Sequence, residues 1–138
     1  FFTCSPQKTP PPVDIQIAPQ VGPEVLTGST RMKAGTATKL VLNMITTGAM
    51  IRCGKTYGNL MVDLRPSNKK LIDRSQRIFS TLTGTTEGEA KQVLSQAAGD
   101  LKVALVMSLC DAPLDLAKEL LATHAGSVKR AVRGYSGV

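Results

Sequence analysis

Gly22-Pro23-Glu24-Val25-Leu26-Thr27-Gly28-Ser29-Thr30-Arg31-Met32-Lys33-Ala34-Gly35-Thr36-Ala37-Thr38-Lys39 is the stretch on which the reading turns. Small hydroxyl residues, glycines and cations gather in it, and it opens an apolar-periodic segment, Met32 to Ile51, that contains no proline. The spacing predicts a long helix there. Ser29 or Thr30 is placed to cap its start, and Gly54 follows its end, where a left-handed residue is wanted. The first N–H groups of a helix have no partner inside it, and the helix dipole puts partial positive charge there. A loop of Gly, Ser and Thr at that end lets backbone donors and hydroxyls close around an anion. Between residues 22 and 55 stand five cations (Arg31, Lys33, Lys39, Arg52 and Lys55) against the single carboxylate of Glu24. Concentrated in this way, the charge points to an anion site rather than to a scattered basic surface. Glu24 has three readings: accepting hydrogen bonds from sugar hydroxyls, acting as acid or base, or pairing with Arg31. Gly35 and Gly48 each cost the helix roughly 1 kcal/mol relative to Ala, which suggests close approach of another backbone or a ligand. Neither GxxxxGK[ST] nor GxGxxG is present, so the loop is not a known nucleotide fingerprint.

Outward from this stretch, Phe1 to Cys4 reads as the end of a buried strand. Ser5 to Pro12, with four prolines, reads as a loop. Val13 to Ala18 alternates apolar and polar residues as a short strand does. Thr56 to Pro66 is a tight connection around Gly58-Asn59, and Ser67 is placed to cap a helix running to about Thr83. From Thr85 the texture changes. Thr86-Glu87-Gly88-Glu89 is a capping box, Asp100 caps a further helix, and Pro113 suits the first turn of the next. A last short helix runs from Val128 to Arg133. Residues 85–138 thus read as a compact bundle of short helices, with a boundary near Thr83 to Thr85.

Composition bounds the function. The 138 residues give room for one domain, or part of one with a small appendage. A net charge of +7 suits an anionic partner, but aromatics at 4% disfavour a module that stacks nucleic-acid bases. Cys4, Cys53 and Cys110 form no CxxC pair and His124 is the one histidine, so neither a structural zinc site nor a disulfide framework is expected. A reducing, cytoplasmic compartment follows as the expectation. No apolar run reaches the ~20 residues of a membrane span. Phe1 is no natural start and no signal peptide is visible, so the chain is expected to be a fragment.

The run Gly22 to Lys39, continued by Leu40-Val41-Leu42-Asn43 and by Gly58-Asn59-Leu60-Met61-Val62-Asp63, resembles the N-acetylmuramic acid 6-phosphate etherases. These share their signature with the glucokinase regulatory proteins, within the sugar-isomerase, phosphosugar-binding group. The resemblance covers the chain after the proline loop and matches the C-terminal half of such an enzyme. It implies an α/β fold of which this chain holds one or two strands of the parallel sheet plus the long helix (residues 1–84). A small helical bundle (residues 85–138) follows, so that the fragment is mostly α. It also implies a lyase that removes the D-lactyl ether by elimination and hydration, with no metal or organic cofactor, acting on a phosphorylated amino sugar as a homodimer. The catalytic acid and base are implied to lie upstream of Phe1, so no catalytic residue is assigned here and this chain alone is expected to be inactive. By resemblance, Glu24 is assigned to sugar hydroxyls, Ser29 and Thr30 to sugar or phosphate oxygens, and Arg31 and Lys33 to electrostatic support. Lys39 is read as structural. The competing readings are a non-catalytic sugar-phosphate-sensing regulator and a basic nucleic-acid module.

The remaining polar residues carry blander readings. His124 is expected to cap a helix C-terminus, and Cys53 and Cys110 to be buried as small hydrophobes. Lys129, Arg130 and Arg133 are read as a solvated face complementing the dipole of the last helix, with an acidic partner as the alternative. Asp63 and Arg65 are candidates for pairing across a subunit contact.

Overall fold

A computed structural model describes residues 1–9 and 11–136, so Pro10 of the proline loop lies outside the described residues. Six helices and one hairpin follow in order: α1 (Lys33–Arg52), β1 (Thr56–Tyr57), β2 (Leu60–Met61), α2 (Lys69–Thr83), α3 (Glu87–Gln96), α4 (Leu101–Cys110), α5 (Leu114–Thr123) and α6 (Val128–Ser136). The chain divides into two compact units, Phe1–Gly48 and Ala49–Val138, and α1 runs from the first into the second. No single helix among the described residues is long and apolar enough to cross a membrane.

In the first unit the expected parallel strands are reduced to one isolated bridge, Phe2 with Ile17. Thr3 N–H donates to the Ile17 carbonyl at 3.1 Å, and Ile17 N–H donates to the Phe1 carbonyl at 2.9 Å. The direction is the parallel one anticipated, but no ladder extends it. Among the described residues the sole sheet is instead the antiparallel β1–β2 hairpin. A strand of a parallel sheet is stabilised by neighbours on both sides and by cover on both faces, and Ile15 here is 70% exposed. Helix α1 shows the same want of cover. It is apolar on all sides, a pattern that belongs to a buried helix, yet it buries only Val41 and leaves Leu40, Leu42, Met44 and Ile45 exposed. Its end follows the anticipated chemistry: Gly54 adopts φ 70°, and the Lys55 N–H returns to the Met50 carbonyl.

The second unit is built around α4. Leu101, Val103, Ala104, Leu105 and Val106 are all buried, as suits a helix surrounded by α2, α3, α5 and α6. Phe79 and Ile78 of α2, Ala90 and Leu94 of α3, Ala117 and Leu121 of α5, and Val128 and Ala131 of α6 pack against it, together with Val62 just after the hairpin. The capping box at α3 forms as expected, with the Thr86 hydroxyl accepting from the Glu89 N–H and the Glu89 carboxylate accepting from the Thr86 N–H. Asp100 caps α4 through the Lys102 and Val103 amides. The cap of α2 is Asn68, not Ser67, because its side chain is the one that reaches the Leu71 N–H. Pro113 stands at the cap position of α5 rather than in its first turn. Because α2 and the hairpin pack with the short helices, the compact unit begins ahead of the change in texture at Thr83 to Thr85.

Residues Thr56 to Pro66 hold more than a connection. Thr56 faces Met61 and Tyr57 faces Leu60 across a two-residue turn whose first member, Gly58, has φ 58°. Ahead of it, Gly54 lies flat on the N-cap of α6: a Cβ there would sit 2.8 Å from that of Ser127 and 2.9 Å from its Cα. Gly54→Ala therefore adds a backbone clash to an unfavourable positive φ and is expected to destabilise the second unit by about 3 kcal/mol. Among the described residues nothing comes within 4 Å of a Cβ at Gly48, so none of them makes the close approach its sequence suggested. Gly48→Ala is expected to be neutral or to stabilise by up to about 1 kcal/mol. Urea unfolding of the two variants beside the parent measures both signs.

Candidate functional site

The loop ahead of α1 folds through two glycine turns. Gly28 at φ 84° closes the turn in which Ser29 N–H donates to the Leu26 carbonyl, and Gly22 adopts φ 67° at the loop's entry. Ser29 is half-buried, while Thr30, Arg31 and Lys33 are exposed. The Lys33 ammonium bends back over Gly22, whose Cβ position lies 3.8 Å from Nζ.

Glu24 decides the electrostatics. Its Oε2 accepts from the Lys33 N–H and its Oε1 from the Ala34 N–H, each at 3.0 Å. The next two amides are also taken: Gly35 N–H donates to the Thr30 carbonyl at 2.8 Å and Thr36 N–H to the Met32 carbonyl at 3.0 Å. All four first amides of α1 are thus satisfied inside the chain. This overturns the idea of free amides waiting for an anion, and also the expectation of a Ser29 or Thr30 cap. Nor does Glu24 pair with Arg31 among the described residues, since the backbone donors hold its carboxylate instead. What the loop offers a ligand is therefore hydroxyls and side-chain cations. Each Glu24 oxygen keeps a second lone pair, so the cap leaves it able to accept from a hydroxyl.

Beside this loop α1 carries an open hollow of about 620 Å³ lined by Val21, Met32, Lys33, Thr36, Ala37 and Leu40. Lys33 is the one candidate residue that reaches it. Cys4 is a further member of this region that the sequence did not single out: its thiol lies 3.6 Å from the Ala34 carbonyl and 3.8 Å from the Thr38 hydroxyl. The second unit has its own hollow of about 360 Å³, walled by Pro66, Ile72 and Leu94 and fringed by Lys91, which no candidate residue lines.

Other polar residues resolve plainly. His124 caps α5, its ring Nδ1 2.8 Å from the Leu120 carbonyl. Cys110 is buried as expected, but Cys53 is exposed, because the helix end that carries it faces outward. Asp63 meets Lys55 at 2.9 Å and Lys102 at 2.6 Å within this chain, and among the described residues it makes no ion pair with Arg65. Among the described residues no three His, Cys, Asp or Glu side chains gather as a metal site.

The amide of Ala34 first, and then that of Lys33, hold the Glu24 carboxyl below its ordinary range. A depressed carboxyl contributes stability above its unfolded pKa and loses it as pH falls through the folded one. The amide protons of Lys33 and Ala34 are therefore expected to shift together in an NMR titration, with a midpoint below that of a free glutamate. A midpoint at or above the free value would show that the cap is not formed.

The chain has relatives along most of its length. The family described as the C-terminal lid domain of glucokinase regulatory protein matches residues 58–102. The N-acetylmuramic acid 6-phosphate etherase of Erwinia tasmaniensis is 52% identical over 123 residues, 89% of this chain and 40% of the relative. That of Mesorhizobium japonicum is 49% identical over 132 residues, 95% of this chain and 43% of the relative. That of Clostridium botulinum is 44% identical over 135 residues, 97% and 45% respectively. Matches of such extent necessarily include the loop from Gly22 to Lys39. The chain spans about two-fifths of the length of the curated relatives it matches, and along nearly all of its own length it is a homologue of the N-acetylmuramic acid 6-phosphate etherases.

Proposed function

We propose that this chain is part of a cytoplasmic lyase that cleaves the D-lactyl ether of N-acetylmuramic acid 6-phosphate. The products are N-acetylglucosamine 6-phosphate and D-lactate. The observation that carries the reading is the 44–52% identity to three etherases across a span that includes the whole signature loop. Residues 1–84 are read as the C-terminal part of the phosphosugar-binding domain and residues 85–138 as the helical tail that follows it, which shares one core with α2 and the hairpin. The acid and base come from the portion of the enzyme that this chain does not contain, and the working unit is a homodimer.

In this reading the loop binds and orients. The Ser29 and Thr30 hydroxyls donate to sugar or phosphate oxygens, and Arg31 and Lys33 lower the cost of bringing a dianion to the surface. Glu24 has two tasks. It holds the loop on the first turn of α1, and its remaining lone pairs accept from sugar hydroxyls. With the amides already engaged, the phosphate depends on the hydroxyls and cations more than on the helix dipole.

The match of residues 58–102 to a lid domain of glucokinase regulatory protein favours a second reading, a regulator that senses a sugar phosphate without turning it over. One pair of experiments separates them. A polypeptide joining this chain to the N-terminal half of the enzyme is expected to release D-lactate from N-acetylmuramic acid 6-phosphate. Retrieval of a hexokinase-type enzyme, modulated by a fructose phosphate and without lactate release, would select the regulator. In the joined polypeptide, Ser29→Ala and Arg31→Ala are each expected to weaken sugar-phosphate binding about tenfold by calorimetry, the loss of one charge-assisted hydrogen bond. Unchanged affinity in both would remove the loop from the pocket.

A further inference from the structure

We propose that Asp63 is a salt-releasable clasp that straps the β1–β2 hairpin to the helical bundle. Asp63 lies two residues beyond β2. One of its oxygens meets Lys55, which precedes β1, and the other meets Lys102, in the first turn of α4. A single carboxylate therefore ties the base of the hairpin to the central helix of the bundle.

Three observations make this a working joint rather than an incidental surface pair. A hairpin with two residues per strand has little stability of its own and must be held from outside. Lys102 stands where the helix dipole disfavours a cation, so its position calls for a nearby anion. Without Asp63, Lys55 and Lys102 would face each other as like charges. The hairpin's other anchors are of a different kind: Val62 is buried in the core and Gly54 is packed on Ser127. Contacts of that kind are insensitive to screening, or strengthened by salting out. The clasp is not, because Lys55, Asp63 and Lys102 keep 40%, 29% and 21% of their side-chain surface open to solvent.

Amide hydrogen exchange tests the proposal on the chain itself. The reporter is the Val62 N–H, which donates to the Lys55 carbonyl at 3.0 Å; Leu105 and Val106 in α4 are the controls. Raising sodium chloride from about 0.05 to about 1 M is expected to speed Val62 exchange roughly three- to tenfold and leave the α4 amides unmoved. Asp63→Asn and Lys102→Met are expected to give the fast rate already at low salt and to abolish its salt dependence. Val62 exchange indifferent to salt, or rising in step with α4, overturns the clasp. If the variants do not fold, the salt series on the parent chain decides alone.

Discussion

The Glu24 carboxylate, clamped on the Lys33 and Ala34 amides, is the contact from which the first unit takes its form. It reaches the helix start from nine residues upstream, and so closes the whole run of Val25 to Met32 into a loop with fixed ends. It also answers the positive end of the α1 dipole. The loop's remaining chemistry is thereby sorted. The first four amides of α1 are spent inside the chain, while Thr30, Arg31 and Lys33 lie exposed and Ser29 half-buried. In the proposed reading a sugar phosphate would meet side chains here rather than the amides at the start of α1, which Glu24 and the loop carbonyls already occupy.

The two units differ in how their apolar surface is used. In the second, α4 is surrounded and the core closes on Phe79, Leu101 and Leu105, each fully buried. In the first, α1 carries Leu and Met on every side and covers almost none of them. A helix of that composition is at home in the interior of an α/β domain. The relatives are more than twice as long as this chain, which agrees with a helix whose neighbours belong to the remainder of such a domain.

Legibility in the sequence followed the range of the interactions. The capping box at Thr86 and Glu89, the Asp100 cap, the glycine end at Gly54 and the succession of helices all rest on residues within five positions of one another, and all were readable. The cap of α1 was not: an acid nine residues from the helix start lies outside any local capping pattern, so Ser29 and Thr30 looked like better candidates. The β1–β2 hairpin escaped because its strands are too short to show a period, although Gly58-Asn59 marked its turn. The exposure of Cys53 turned on tertiary cover that no local pattern reports. For the site, the cluster of hydroxyls and cations was legible as a cluster, and the occupation of the helix amides was not.

In the proposed function this loop holds a phosphorylated amino sugar while Glu24 keeps it on the helix. A crystal structure of the enzyme containing this chain, soaked with N-acetylglucosamine 6-phosphate, tests it most directly. The Ser29 and Thr30 hydroxyls are expected within hydrogen-bonding distance of the ligand, with the Glu24 carboxylate still on the Lys33 and Ala34 amides. A ligand bound elsewhere, with the loop untouched, would contradict it.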